Sequence, residues 1–140
     1  MILLKKIWYY RLIINKENIG MKIRKDYTCP LEVVHDIVKG KWKPIIIFSL
    51  RKQPMSLSQL ENSINGISQK MLLEQLKELK EFGIIDKIKS EGYPLHVEYF
   101  LTEERGKKIL ESIKIMQQIG IEYMIENGME QELKCKGILK

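Results

Sequence analysis

Ser68, Gln69 and Lys70 stand together near the start of a stretch that reads Gly-Ile-Ser-Gln-Lys-Met-Leu-Leu-Glu-Gln-Leu-Lys-Glu-Leu-Lys-Glu-Phe-Gly over residues 66–83. Serine is a favoured helix N-cap and glycine a favoured residue just past a helix end, so the stretch reads as an amphipathic helix over about Ser68–Phe82. Leu72, Leu76 and Leu79 recur at helical spacing and form its inward stripe. Lys70, Glu74, Lys77 and Glu81 lie opposite, with Leu73 flanking them as a further expected DNA contact. Glutamine can grip adenine with two hydrogen bonds, and lysine can reach guanine or a phosphate. A helix N-terminus holds phosphate through its free N–H groups and its dipole. Gln69, Lys70 and Ser68 suit those three tasks, and Lys77 suits a backbone phosphate. The alternative is an ordinary solvated face, which is what exposed Lys and Glu usually make.

Cys29 is the second reactive candidate. It directly precedes Pro30, at a helix N-cap, where the helix dipole favours an anionic thiolate. The competing role is that of a small hydrophobe, common for free cysteine. Catalytic patterns are lacking. The only histidines, His35 and His96, are far apart and have no nucleophile beside them. Cys29 and His35 are six residues apart, on different helix faces, so no metal pair is expected. A Gly-rich phosphate loop and a zinc-protease motif are also missing, so neither an enzyme nor a cofactor is expected.

The elements that must position these residues follow from start and stop signals. Pro30 suits the first turn of a helix running to about Val38, with Leu31, Val34 and Ile37 on one face and Gly40 beyond its end. A second helix, about Trp42–Leu50, is apolar nearly all round and reads as the buried centre. Ser56 and Gln59 have capping-box spacing and open a short helix to about Ile64. Asn65-Gly66 turns the chain into the long helix. Ile84–Lys89 and Val97–Leu101 read as two strands of a hairpin joined through Ser90-Glu91-Gly92-Tyr93-Pro94. Thr102 opens a last helix to about Asn127, striped by Ile109, Leu110, Ile113, Met116 and Tyr123.

That order predicts a mainly α (α+β) fold: a winged helix-turn-helix with a two-stranded wing and a C-terminal dimerisation helix. A three-helix core plus wing is already closed, so the last stripe is expected to meet a second copy of the chain, with folding back onto its own core as the rival. Leu31, Ile109, Ile113, Met116 and Tyr123 are the expected dimer contacts. The chain divides into an extension over residues 1–20, a working domain over 21–127 and a polar tail over 128–140. The extension is either an upstream start, a weakly ordered arm, or an extra packing element of the dimer.

The 140 residues are about one domain, with an ordinary globular composition of 44% hydrophobic and 30% charged residues. The net charge of +6 points weakly to anionic partners, and Lys5, Lys6, Arg11 and Lys16 against Glu17 supply half of it. Placement says more. No acid occurs between Ile37 and Leu60, where Lys39, Lys41, Lys43, Arg51 and Lys52 fall. Lys41 and Lys43 are expected to clamp DNA backbone, unless the run is only a soluble loop. Residues 1–14 are too short and too charged for a membrane span and lack a cleavage site for a secretory signal. Two distant cysteines fit a reducing cytoplasm.

Five segments now appear in order: Cys29-Pro30-Leu31, Gly40-Lys41-Trp42-Lys43, Gly66-Ile67-Ser68-Gln69-Lys70-Met71-Leu72, Leu76-Lys77-Glu78-Leu79, and Val97-Glu98-Tyr99 with Leu101-Thr102. Together they resemble the HxlR-type helix-turn-helix regulators, relatives of the bacterial MarR group, over about residues 26–127. The resemblance implies a homodimeric winged-helix transcription factor on an operator in double-stranded DNA, with repression by promoter occlusion as the default. It also implies an oxidant or small-molecule effector as a candidate partner, since some relatives sense oxidants through a cysteine at the position of Cys29. Three positions depart from the family pattern: His96 stands where arginine is common in the wing, Ser56 where arginine often opens the short helix, and Leu73 where threonine is frequent. Wing contacts therefore fall to Lys87 and Lys89, with His96 a weaker partner. A winged helix used only for protein contacts is the alternative.

Overall fold

In the computed structural model, residues 26–90, 92 and 95–140 are described. The expectations for residues 1–20, and for Glu91, Tyr93 and Pro94 at the wing tip, lie outside the described residues. The elements are α1 (Pro30–Val38), α2 (Trp42–Ser49), β1 (Met55–Ser56), α3 (Leu57–Ser63), α4 (Gln69–Glu81), β2 (Ile85–Lys89), β3 (Val97–Leu101), α5 (Arg105–Glu126) and α6 (Glu130–Cys135).

Local chemistry sets these boundaries. Ser56 and Gln59 cap α3 reciprocally: the Gln59 N–H donates to Ser56 Oγ at 3.2 Å, and the Ser56 N–H donates to Gln59 Oε1 at 2.8 Å. The Met71 N–H donates to Ser68 Oγ at 3.1 Å and fixes the start of α4. Gly83, at φ +72°, ends α4. Its N–H donates to the Lys80 carbonyl, and the Ile84 N–H donates to the Leu79 carbonyl. This paired closure needs the left-handed conformation that glycine takes without strain.

The small sheet is antiparallel in the order β1-β3-β2, with Met55 opposite Tyr99 and Ile85 opposite Leu101. The expected hairpin is therefore joined by a third strand. It has two residues, too few for alternation to show in sequence. The core gathers Ile46, Ile47 and Leu50 of α2 with Leu60, Leu72, Leu76, Leu79, Ile85, Leu101 and Leu110.

Two expectations are corrected. The stripe on α5 splits along its length: Leu110 and Ile113 are buried in the chain's own core and Ile109 packs against it, while Met116, Ile119 and Tyr123 are exposed. Ile113, 5% exposed, is thus withdrawn from the dimer contacts, and Ile109 is largely committed at home. The reason is reach, because the 22-residue helix extends about 33 Å and only its first half lies over the core. The polar tail also gains structure. Residues 130–135 form α6, which packs on α5 and buries Leu133.

Thr102 joins three of these elements. Its hydroxyl donates to the Gly83 carbonyl at 2.7 Å and accepts the Gly106 N–H at 2.9 Å. The N-cap of α5 is Glu104 rather than the expected Thr102, which lies two residues earlier and reaches the first turn through that bond. Gly106 is buried where α5 crosses the sheet, and a Cβ there would lie 2.3 Å from the Ile84 carbonyl oxygen. Gly106→Ala should therefore destabilise the fold by about 3 kcal/mol, the upper range for overpacking against atoms that cannot yield, read by chemical denaturation. Wild-type stability in that variant would show that α5 can lift off the sheet freely.

Candidate nucleic-acid interface

The turn between α3 and α4 brings the N-terminus of α4 to the surface. Ser68, Gln69 and Lys70 are exposed, and Leu73 and Lys77 continue the exposed face along the helix. Leu72, Leu76 and Leu79 are buried on the other side. The Ser68 oxygen is occupied by its cap, yet its hydroxyl hydrogen remains available to an anion. Trp42 supports the turn, because a methyl at Gly66 would sit 3.9 Å from its ring. Lys41 lies over that ring at 4.5 Å from the centroid, so its charge sits beside the turn.

A groove of about 680 Å³ runs between α4 and the sheet, lined by Leu73, Lys77, Lys80, Lys87 and Tyr99 among others. Lys87 pairs with Tyr99 and Lys89 with Val97 across the strands, so both lysines project from the sheet face that borders α4. Burial pushes the Tyr99 phenol up from its ordinary value, and it lines the groove uncharged. Lys80 is an addition to the expected set. It is exposed in the same groove, three residues after Lys77, a spacing visible in the sequence.

Two expected residues are not brought to this surface. Lys43 is 3% exposed and its ammonium pairs with Glu78 of α4 at 2.5 Å. It lies three and four residues before the fully buried Ile46 and Ile47, on the inward stripe of α2, so it is withdrawn from the phosphate contacts. His96 pairs through Nε2 with Glu98 Oε1 at 2.9 Å. By strand alternation Glu98 projects from the sheet face opposite Lys87 and Lys89, and His96 is turned away from the groove with it. The basic run also separates. Arg51, whose guanidinium stacks 4.1 Å from the Phe48 ring centroid, lies with Lys52 at a second cleft, about 480 Å³, between the sheet and α5.

Cys29 caps α1 and is exposed. The Glu32 carboxylate accepts the Thr28 N–H at 2.7 Å and the Cys29 N–H at 3.4 Å, so donors at this helix end are already engaged. Leu31, 74% exposed, and Tyr123, 66% exposed, are uncovered, as is Met116. Among the described residues, no group of three or more His, Cys, Asp or Glu side chains could hold a metal ion, and no helix is long and apolar enough to cross a membrane.

The profile of the HxlR-like helix-turn-helix family matches residues 37–128. The chain belongs to that family. This HxlR-like chain is 35% identical over 91 residues to YkvN of Bacillus subtilis strain 168, an uncharacterized HTH-type transcriptional regulator, covering 64% of this chain and 77% of YkvN. A crystal structure from Porphyromonas gingivalis W83, described as a transcriptional regulator of the MarR family, superposes with a TM-score of 0.65 at 36% identity, covering 72% of this chain and 98% of that one. The redox regulator HypR in its oxidized form matches with a TM-score of 0.64 at 31% identity, covering 67% and 96%. The HxlR-like chain is thus a DNA-binding transcriptional regulator of the winged-helix type, and its relatives are regulators rather than enzymes.

The Lys43–Glu78 pair ties α4 to α2, and its two ends differ in cost. Glu78→Ala should destabilise by about 1–3 kcal/mol, because it strands a buried ammonium. Lys43→Met keeps the buried stem without the charge and should cost less, as replacing a buried charge by an apolar isostere is often nearly neutral. Urea titrations of both variants check the order, and a larger loss in Lys43→Met would refute it.

Proposed function

We propose that the protein is a cytoplasmic homodimeric repressor that occludes promoters by seating α4 of each copy in the major groove. The observation that carries this reading is the outward face of α4, with Gln69 and Lys70 free at the first turn while the leucines opposite them are buried. In this arrangement Gln69 and Lys70 contact base edges, Ser68 and the helix N-terminus hold a phosphate, and Lys77, Lys41, Lys87 and Lys89 clamp the flanking backbone. Operator binding that weakens steeply with salt belongs to this reading, since each phosphate neutralised adds nearly one unit to the slope.

Gln69→Ala and Lys70→Ala should each weaken operator binding by at least about tenfold, with less loss on scrambled duplex and unchanged melting temperatures. Equal losses on both duplexes, measured by fluorescence anisotropy, would remove base reading from these side chains.

The uncovered Leu31, Met116 and Tyr123, with Ile115 and Ile119 beside them on α5, support dimerisation through α1 and the free half of α5. A twofold pair can set two reading helices about 34 Å apart, one turn of DNA. Met116→Asp should shift the protein to monomer in sedimentation velocity and abolish tight operator binding. A dimer unaffected by that charge places the interface elsewhere.

The likeness to a redox regulator and the exposed thiol at the base of α1 support a thiol switch at Cys29. Added bulk there would disturb the spacing of the two reading helices. Alkylation by N-ethylmaleimide should release wild-type protein and the Cys135→Ser variant from operator, while Cys29→Ser stays bound. Release of Cys29→Ser by the same reagent would exclude the switch.

A further inference from the structure

Every exposed side chain on α4 is polar or charged except Leu73. It is 44% exposed although the core of this helix is already closed by Leu72, Leu76 and Leu79. Gln69, Leu73 and Lys77 form one ridge at spacings of four residues, so Leu73 lies between a base-reading and a phosphate-binding side chain. It also lines the groove opposite Lys87 and Tyr99, open to a ligand entering between α4 and the wing.

An apolar side chain in the major groove can make no hydrogen bond. The one apolar mark displayed there is the C5 methyl group of thymine. We propose that Leu73 is a specificity-determining residue that recognises a thymine by its methyl group, an inference that rests on α4 being the helix that enters the groove. Four residues of helix rise about 6 Å and a base-pair step about 3.4 Å. The thymine therefore lies one or two base pairs from the base that Gln69 contacts.

The test begins with operators selected from randomised duplexes by the full-length wild-type protein. Each thymine is then replaced singly by deoxyuridine, which removes only the methyl group. One position in each half-site should lose about fourfold in affinity, the worth of one buried methyl group. Leu73→Ala should bind the thymine and uracil forms equally, with an unchanged melting temperature, and Leu73→Met, which keeps an apolar tip, should retain the wild-type ratio. Indifference of the wild-type protein to every replacement, or a wild-type ratio in Leu73→Ala, overturns the inference while leaving α4 as the reading helix. Selection that enriches no sequence overturns the proposed function together with it.

Discussion

Burial of Leu72, Leu76 and Leu79 against the apolar side of α2 is the constraint on which the rest of the molecule depends. Each leucine taken out of water contributes about 1.5–3 kcal/mol, whereas an exposed ion pair on the same helix is worth about 0–1 kcal/mol. The leucines therefore decide how α4 is rotated, and the charged residues accept whatever orientation remains. Gln69, Lys70 and Lys77 point outward for that reason. Function at this surface is a by-product of core packing on the opposite one.

The closing bonds of α4 carry this orientation into the remainder of the fold. Gly83 ends the helix, and its carbonyl takes the Thr102 hydroxyl that also satisfies the start of α5. Gly106 then lets α5 approach the backbone of Ile84 and Leu101 directly. Helix α4, the wing and the long helix are joined within a few ångströms of each other, with only the Thr102 hydroxyl between Gly83 and Gly106. A partner copy held by the far half of α5 would consequently fix the direction of α4 with little slack.

Most element boundaries were legible because each carries a local signal: Pro30 at a helix start, the Ser56–Gln59 box, Ser68, and Gly83. Strand β1 was not, since two residues have no periodicity and gain strand geometry only from pairing with β3. α6 was hidden for a related reason, because Leu133 is a single apolar residue whose value depends on α5 being beside it. The charge of Lys43 suggests the surface, whereas helical spacing from Ile46 and Ile47 places it inward. The stripe on α5 was visible, but an apolar pattern does not say which stretch is satisfied at home; Ile113 is and Met116 is not. Which side chains of α4 face outward is readable from helical spacing, whereas the turning away of His96 depends on strand register.

The buried ammonium of Lys43 has a consequence beyond fastening two helices. Sliding α4 by one position would turn it through about 100°, carrying Glu78 away and leaving a cation confronted by aliphatic neighbours. The same turn would carry Leu72, Leu76 and Leu79 out of the core, so hydrocarbon packing already opposes it. A lone charge left in the interior adds to that cost. Lys43 thus reinforces, with one directional contact, the alignment that the leucines set.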